Sequence, residues 1–173
     1  HQDVATGDWV ELHNTTSSPI SIGGWFLSDD IEELKKYQIA NGTIIPANGF
    51  ITFTQNSNFG DNANDSGIIS SFGLSEHGET LYLSSGIQGN LAGGYSIFQP
   101  FGATINGTTL GRHAGANPFN PLVDFVRLES PTFNGPNTAV YTPDVVVSEI
   151  RYNAVDEIDS LNEYIELVNR SSE

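Results

Sequence analysis

Asp8-Trp9-Val10-Glu11-Leu12-His13-Asn14 recurs 155 positions later as Glu163-Tyr164-Ile165-Glu166-Leu167-Val168-Asn169. Each copy reads acid, aromatic, β-branched aliphatic, Glu, Leu, a variable residue and Asn. Alternation puts Val10 and Leu12 on one face of a strand and Trp9, Glu11 and His13 on the other. An echo at this distance predicts one complete unit followed by the opening of a second. Arrays of that kind bind, space or anchor more often than they catalyse.

Outward from the first copy, Asn14 to Pro19 is turn chemistry, and short strands follow at Ile20–Ile22 and Trp25–Leu27, bent at Gly23-Gly24. Asp29 to Lys36 is the only helix-like composition and is too short to hold a helix alone. Asn41-Gly42, between Tyr37–Ala40 and Thr43–Ile45, is a two-residue hairpin signal. Phe50–Thr54 reads as a strand, Gln55 to Gly67 as a long polar surface loop, and Glu79–Ser84 and Tyr95–Phe98 as strands around a glycine-rich stretch. Leu110–His113 is a short extended segment, and Val123–Leu128 is the last strand of the unit. The expected organisation is a unit over 1–130, a linker over 131–144 rich in Pro, Asn, Gly and Thr, and opening strands of a next unit over 145–173. Val145-Val146-Val147-Ser148-Glu149-Ile150 is the strongest β signal in the chain. About ten short strands with many turns and little or no helix make an all-β chain and predict a β-sandwich.

Composition narrows the partners. Six Lys plus Arg against 21 Asp plus Glu give a net charge of −15, which repels nucleic acid and anionic membrane. No apolar run is long enough to span a bilayer, so membrane insertion is not expected. Cysteine is absent, which excludes a disulfide scaffold without naming a compartment. Asn-x-Ser/Thr sequons begin at Asn14, Asn41, Asn64, Asn106 and Asn169, as chance provides in a chain so rich in those residues.

The residue types that carry chemistry are scattered. His1, His13, His77 and His113 have no metal-ligand spacing, and His77, beside Glu76 and Glu79, reads as a solvated turn. No nucleophile motif, phosphate loop or dinucleotide fingerprint is present, so the chain is read as not an enzyme. Asp61, Asn62, Asn64 and Asp65 gather oxygen ligands of the kind calcium takes, against the plainer reading of a solvated loop; Ala63 and the lack of a closing Glu depart from an EF-hand. Asp29, Asp30, Glu32 and Glu33 form a second acidic cluster. Calcium is the one cofactor this composition suggests. Trp9, Trp25, Phe26, Tyr82 and Tyr95 serve either as core and cross-strand pairs or as a sugar-stacking face.

Val145-Val-Val-Ser-Glu-Ile-Arg-Tyr-Asn with Glu163-Tyr-Ile-Glu-Leu-Val-Asn-Arg resembles the start of a lamin-tail domain of the bacterial secreted type. The first unit resembles the same family through Asp8-Trp-Val-Glu-Leu-His-Asn, Ile22-Gly-Gly-Trp-Phe-Leu-Ser-Asp, Thr43-Ile-Ile-Pro-Ala-Asn-Gly-Phe and Gly73-Leu-Ser-Glu-His-Gly-Glu-Thr-Leu-Tyr-Leu. Thr109-Leu-Gly-Arg and Asp124-Phe-Val fit its close. The resemblance implies an immunoglobulin-like β-sandwich used as a non-catalytic module of an exported multi-domain protein, outside the cell or at its surface. It also implies an opening Val-Val-Ser-Glu-Ile strand, which does not stand before Asp8. Val145 to Ile150 is expected to fill that place, in the same chain through a flexible linker or in a neighbouring molecule as a strand-swapped oligomer. The expected role is adhesion, spacing or tethering to other modules; the alternative is a carbohydrate-binding accessory module of a secreted hydrolase, with glycans as partners.

Overall fold

The computed structural model describes residues 7–113, 125–152 and 163–171. The chain divides into two compact units, His1–Val140 and Tyr141–Glu173. His1, and Val123 and Asp124 at the start of the strand expected over 123–128, lie outside the described residues.

Among the described residues the first unit holds ten strands: β1 (Trp9–His13), β2 (Ile20–Ser21), β3 (Phe26–Ser28), β4 (Tyr37–Gln38), β5 (Ile44–Ile45), β6 (Phe50–Thr54), β7 (Gly78–Ile87), β8 (Asn90–Gly102), β9 (Leu110–Arg112) and β10 (Phe125–Arg127). β1 pairs antiparallel with β6, β2 with β5 and β9 with β10, and a four-stranded sheet runs β4-β3-β7-β8. Val10, Ile22, Leu27, Tyr37, Ile39, Ile45, Phe53, Phe59, Phe72 and Leu83 form one buried core between these sheets. Their alternation along each strand is what turns the sheets face to face. The chain is thus nearly all β, with an immunoglobulin-like fold. Strand β1 behaves as its pattern predicts: Val10 is in the core and Leu12 packs on it.

Two local readings are corrected. Asn41-Gly42 does form a tight turn, with Thr43 N donating to Ala40 O at 3.2 Å, but it does not close a hairpin. The strand before it pairs with β3 and the strand after it with β2, because the facing chain bends at the same level. There Gly23 passes so close that a Cβ on it would lie 2.5 Å from the Gly42 nitrogen. The two turns oppose each other and carry one antiparallel pairing from one sheet into another; its connection is the charged stretch Asp29–Lys36, held by Ser28 Oγ donating to Glu33 O at 2.8 Å. The glycine-rich stretch is the other correction. Gln88 and Gly89 both have positive φ, 51° and 76°, and make a two-residue turn between β7 and β8. These two strands are 10 and 13 residues long, so not every strand is short.

The polar stretch after β6 is also more ordered than its composition predicts. Gln55–Phe59 makes a single π turn, closed by Gly60 N donating to Gln55 O at 2.9 Å. Part of the stretch read as linker is bonded into the first unit. Asn134 N donates to Glu11 Oε2 at 2.6 Å, Asn137 Nδ2 to Arg112 O at 2.7 Å, and Val140 bridges Leu128. The second unit is a two-stranded antiparallel sheet of β11 (Val145–Arg151) and β12 (Tyr164–Asn169).

Candidate interaction surface

β11 and β12 are strands for the reason their composition suggests: both are dense in β-branched residues, which fit a pleated surface. Their register sets Val147 opposite Leu167 and Ile150 opposite Ile165, so these four side chains share one face. The other face carries Val146 with Val168, Glu149 with Glu166 and Arg151 with Tyr164. A bulge at Ser148 restores the alternation, since without it Ile150 would turn to the charged side. Ser148 Oγ donates to the Glu166 carboxylate, and Tyr164 OH donates to Glu149 Oε1 at 2.7 Å. The bond to Glu149 and the charge nearby hold the Tyr164 phenol above its ordinary pKa.

Among the described residues nothing covers the aliphatic face of this ribbon. Val147, Ile150, Ile165 and Leu167 are 54–67% exposed. In the first unit the residues matching Ile165 and Leu167 are Val10, in the core, and Leu12, packed against it. A two-stranded ribbon with one bare apolar face is marginal in water and gains by docking. This is where the structure brings the predicted assembly residues Val145 to Ile150 together with the echoed strand.

The other candidate residues are placed as follows. Asp65 sits in a hydrogen-bonded knot: its Oδ1 accepts from Gly67 N at 2.8 Å, and its Oδ2 accepts from Tyr37 OH at 3.0 Å and Asn58 Nδ2 at 3.1 Å. Burial works against its charge, but the bonds from Gly67, Asn58 and Tyr37 outweigh it and hold the carboxyl below its usual range. Asp61 accepts from Ser71 Oγ, while Asn62 and Asn64 are exposed. Among the described residues no three His, Asp or Glu side chains converge as a metal cluster. In the second acidic loop Asp29 pairs with Lys36 at 2.7 Å, and Asp30 Oδ1 accepts from Glu32 N. His77 stands exposed in its turn, 3.9 Å from Glu76.

The aromatic residues divide. Phe26 is wholly buried, Trp9 meets Phe133 edge-on at 5.6 Å, and Trp25 packs on Tyr95 at 5.2 Å with a 33° tilt. What sequence reasoning missed is the length of β8 and its exposed Leu91, Tyr95, Ile97 and Phe98, hidden behind a glycine-rich composition. Positive-φ Gly93 inside β8 shows why: glycine there marks a twist in a strand, not a loop.

Burial, the Asp65 charge and its bond raise the Tyr37 phenol well above its ordinary pKa, against a smaller opposing effect of Asn58. A phenol raised on folding contributes stability that is full below its unfolded value near 10 and is lost as pH climbs toward the folded one. Asp65, lowered on folding, contributes above its unfolded value near 4 and fades as pH falls below it. Tyr37→Phe is therefore expected to cost about 1–2 kcal/mol at pH 7, the gap closing above about pH 10. Urea unfolding at pH 7 and pH 10.5 measures it; a gap unchanged with pH would place the cost elsewhere.

Comparison with curated proteins and with solved structures returns no significant match. A family model described as Lamin Tail Domain matches residues 1–97, more than half of the chain and spanning β1 into β8. Domains of this family are immunoglobulin-like and generally non-catalytic. The chain belongs to the lamin tail domain family.

Proposed function

We propose that this chain is a non-catalytic module of an exported multi-domain protein that tethers or spaces neighbouring modules by β pairing. The observation that carries the reading is the β11–β12 ribbon, whose aliphatic face is bare although the matching residues in the first unit, Val10 and Leu12, lie in the core or pack against it. A surface of that kind is covered by another module, since the alternative is apolar area left in water. The net charge of −15 suits a protein that stays soluble among copies of itself and associates through a defined patch.

Charge also sets the condition of the test. Like-charged chains repel, and salt screens that repulsion over about 8–10 Å at physiological strength. Light scattering is expected to show a mass above the 18.7 kDa of one chain, rising with concentration and further when salt goes from about 0.05 M to about 0.5 M. Leu167→Lys, on the bare face, is expected to lower that mass while leaving the first unit's unfolding unchanged. A single-chain mass at every concentration and salt would sink the reading.

A further inference from the structure

Asparagine followed by glycine occurs at Asn41, Asn48, Asn106 and Asn134. In such a pair the glycine nitrogen, with no Cβ beside it, is able to attack the side-chain amide. The fold guards two of the pairs: Gly49 N donates to Pro46 O at 3.0 Å, and Gly42 N is packed under Gly23. Asn134 is not guarded in this way. It is exposed with φ 57°, Gly135 has open space where a side chain would stand, and no acceptor among the described residues holds the Gly135 N–H. The same asparagine is a latch. Its N donates to Glu11 Oε2 at 2.6 Å, and Thr52 Oγ1 lies 2.8 Å from its Oδ1 and 3.1 Å from Glu11 Oε2. With the Phe133 ring edge-on to Trp9 at 5.6 Å, these contacts hold the tip of the 131–136 turn on the outer face of β1. The base of that turn is held separately, by Ser130 N donating to Thr138 Oγ1 at 3.2 Å and Glu129 N to Ala139 O at 2.9 Å.

We infer that Asn134 is a self-modification site, and that its conversion to a carboxylate unlatches this tip. Thr52 Oγ1, donating to Asn134 Oδ1, draws electrons from the side-chain carbon and steadies the negative charge that builds on that oxygen under attack. Gly135 N bonds to Asn134 Cγ, the Cγ–Nδ2 bond breaks, and the proton given up by Gly135 N leaves with Nδ2 as ammonia. Water then opens the ring at one carbonyl or the other and leaves an aspartyl or an isoaspartyl residue. One water enters, one ammonia leaves, and nothing is oxidised or reduced. Either product works against the latch. The Thr52 hydroxyl has one proton, enough for a neutral amide beside Glu11 but not for two carboxylates that share it. Like charges at that range repel, and more so where water is partly excluded. The isoaspartyl product also lengthens the main chain by one carbon between Phe133 and Gly135. Once the tip lifts, Trp9 and Glu11, half-buried while it is latched, stand exposed as the matching Tyr164 and Glu166 already do.

The full chain is aged at mildly alkaline pH while peptide mass mapping follows each Asn-Gly pair and brief chymotrypsin treatment reads the tip at Phe133. Asn106, exposed in the turn after β8, sets the pace of an unguarded pair. The expected result is conversion at Asn134 at least as fast as at Asn106 and ahead of Asn41 and Asn48, with the converted chains cut after Phe133 faster than fresh ones. Gly135→Ala puts a methyl group beside the attacking nitrogen, in open space, and is expected to slow conversion at least about tenfold with the tip still latched. Asn134→Asp is expected to be cut at Phe133 from the outset. Adding Glu11→Gln to it is expected to restore the native cutting rate, because the amide still accepts from the backbone at 134 and the repulsion is gone. Asn134 staying intact while Asn106 converts overturns the site. Conversion, or Asn134→Asp, with Phe133 cut no faster overturns the latch. A fast cut of Asn134→Asp that Glu11→Gln does not slow overturns the charge clash as its cause.

Discussion

Phe59→Ala is expected to cost about 3–5 kcal/mol, the loss of a large aromatic from a packed core. Phe59 is fully buried in a stretch of Asn, Asp, Ser and Gly, and its ring stacks on Phe72 at 4.6 Å with 16° between planes. The backbone around it is built to deliver that ring. Thr54 Oγ1 accepts from Ser57 N at 3.2 Å, and Asn58 Oδ1 accepts from Thr54 N at 2.9 Å, a reciprocal cap on the π turn. Phe72 N then donates to Phe59 O at 2.9 Å, so the two aromatic residues are tied through backbone as well as rings. Removing the ring leaves a cavity that this network cannot collapse into, which puts the loss toward the upper end of the range. Urea unfolding gives the number from the midpoint shift at constant slope. Asn62→Ala, exposed in the same stretch, is expected to fall within about 0.5 kcal/mol of the native chain. A Phe59→Ala loss under about 1 kcal/mol would show that the stretch floats free of the core.

That residue marks where sequence reading stops. Strand β1 was legible because period-two alternation is a local property, β6 and β11 because apolar and β-branched runs are local too, and β12 because it matches β1 residue for residue. Which strand a turn serves is not local. Ala40-Asn41-Gly42-Thr43 has the chemistry of a hairpin turn and adopts it, yet its two arms pair with β3 and β2 because Gly23-Gly24 bends the facing chain at the same level. A single Phe among polar residues gives no period to read; the available signal was Thr54 four residues before Asn58, a cap that points to order. Gln88-Gly89 was hidden for another reason: a left-handed Gln is uncommon, and Asn at that position would have announced the turn. The candidate surface was legible as residues 145 to 150 and as the echo.

The closing Asn of the motif separates what the two copies contribute, and Asn14→Ala is expected to cost about 3 kcal/mol while Asn169→Ala costs under about 0.5 kcal/mol. Asn14 is buried, and its Nδ2 donates to Ser18 O at 2.8 Å, Ile45 O at 3.2 Å and Pro46 O at 2.8 Å. Its Oδ1 accepts from Thr16 N at 3.0 Å and Thr16 Oγ1 at 2.8 Å. One amide thus shapes the turn after β1 and ties it to the end of β5. An alanine there strands several carbonyls, and each buried polar group left without a partner costs about 1–3 kcal/mol, partly relieved where water reaches Ser18. Asn169 keeps only the local half of this arrangement: its Oδ1 accepts from Ser171 N at 2.9 Å, two residues on, as Asn14 does from Thr16. Both copies therefore fold the same turn, and only the first has a sandwich for the amide to brace. The comparison also tests whether the second copy has found one. Measured on the assembled protein, a cost for Asn169→Ala that rises toward that of Asn14→Ala would mean that the ribbon has acquired the partner strands that Asn14 already has. A cost that stays small at every concentration would mean that it docks by its aliphatic face alone.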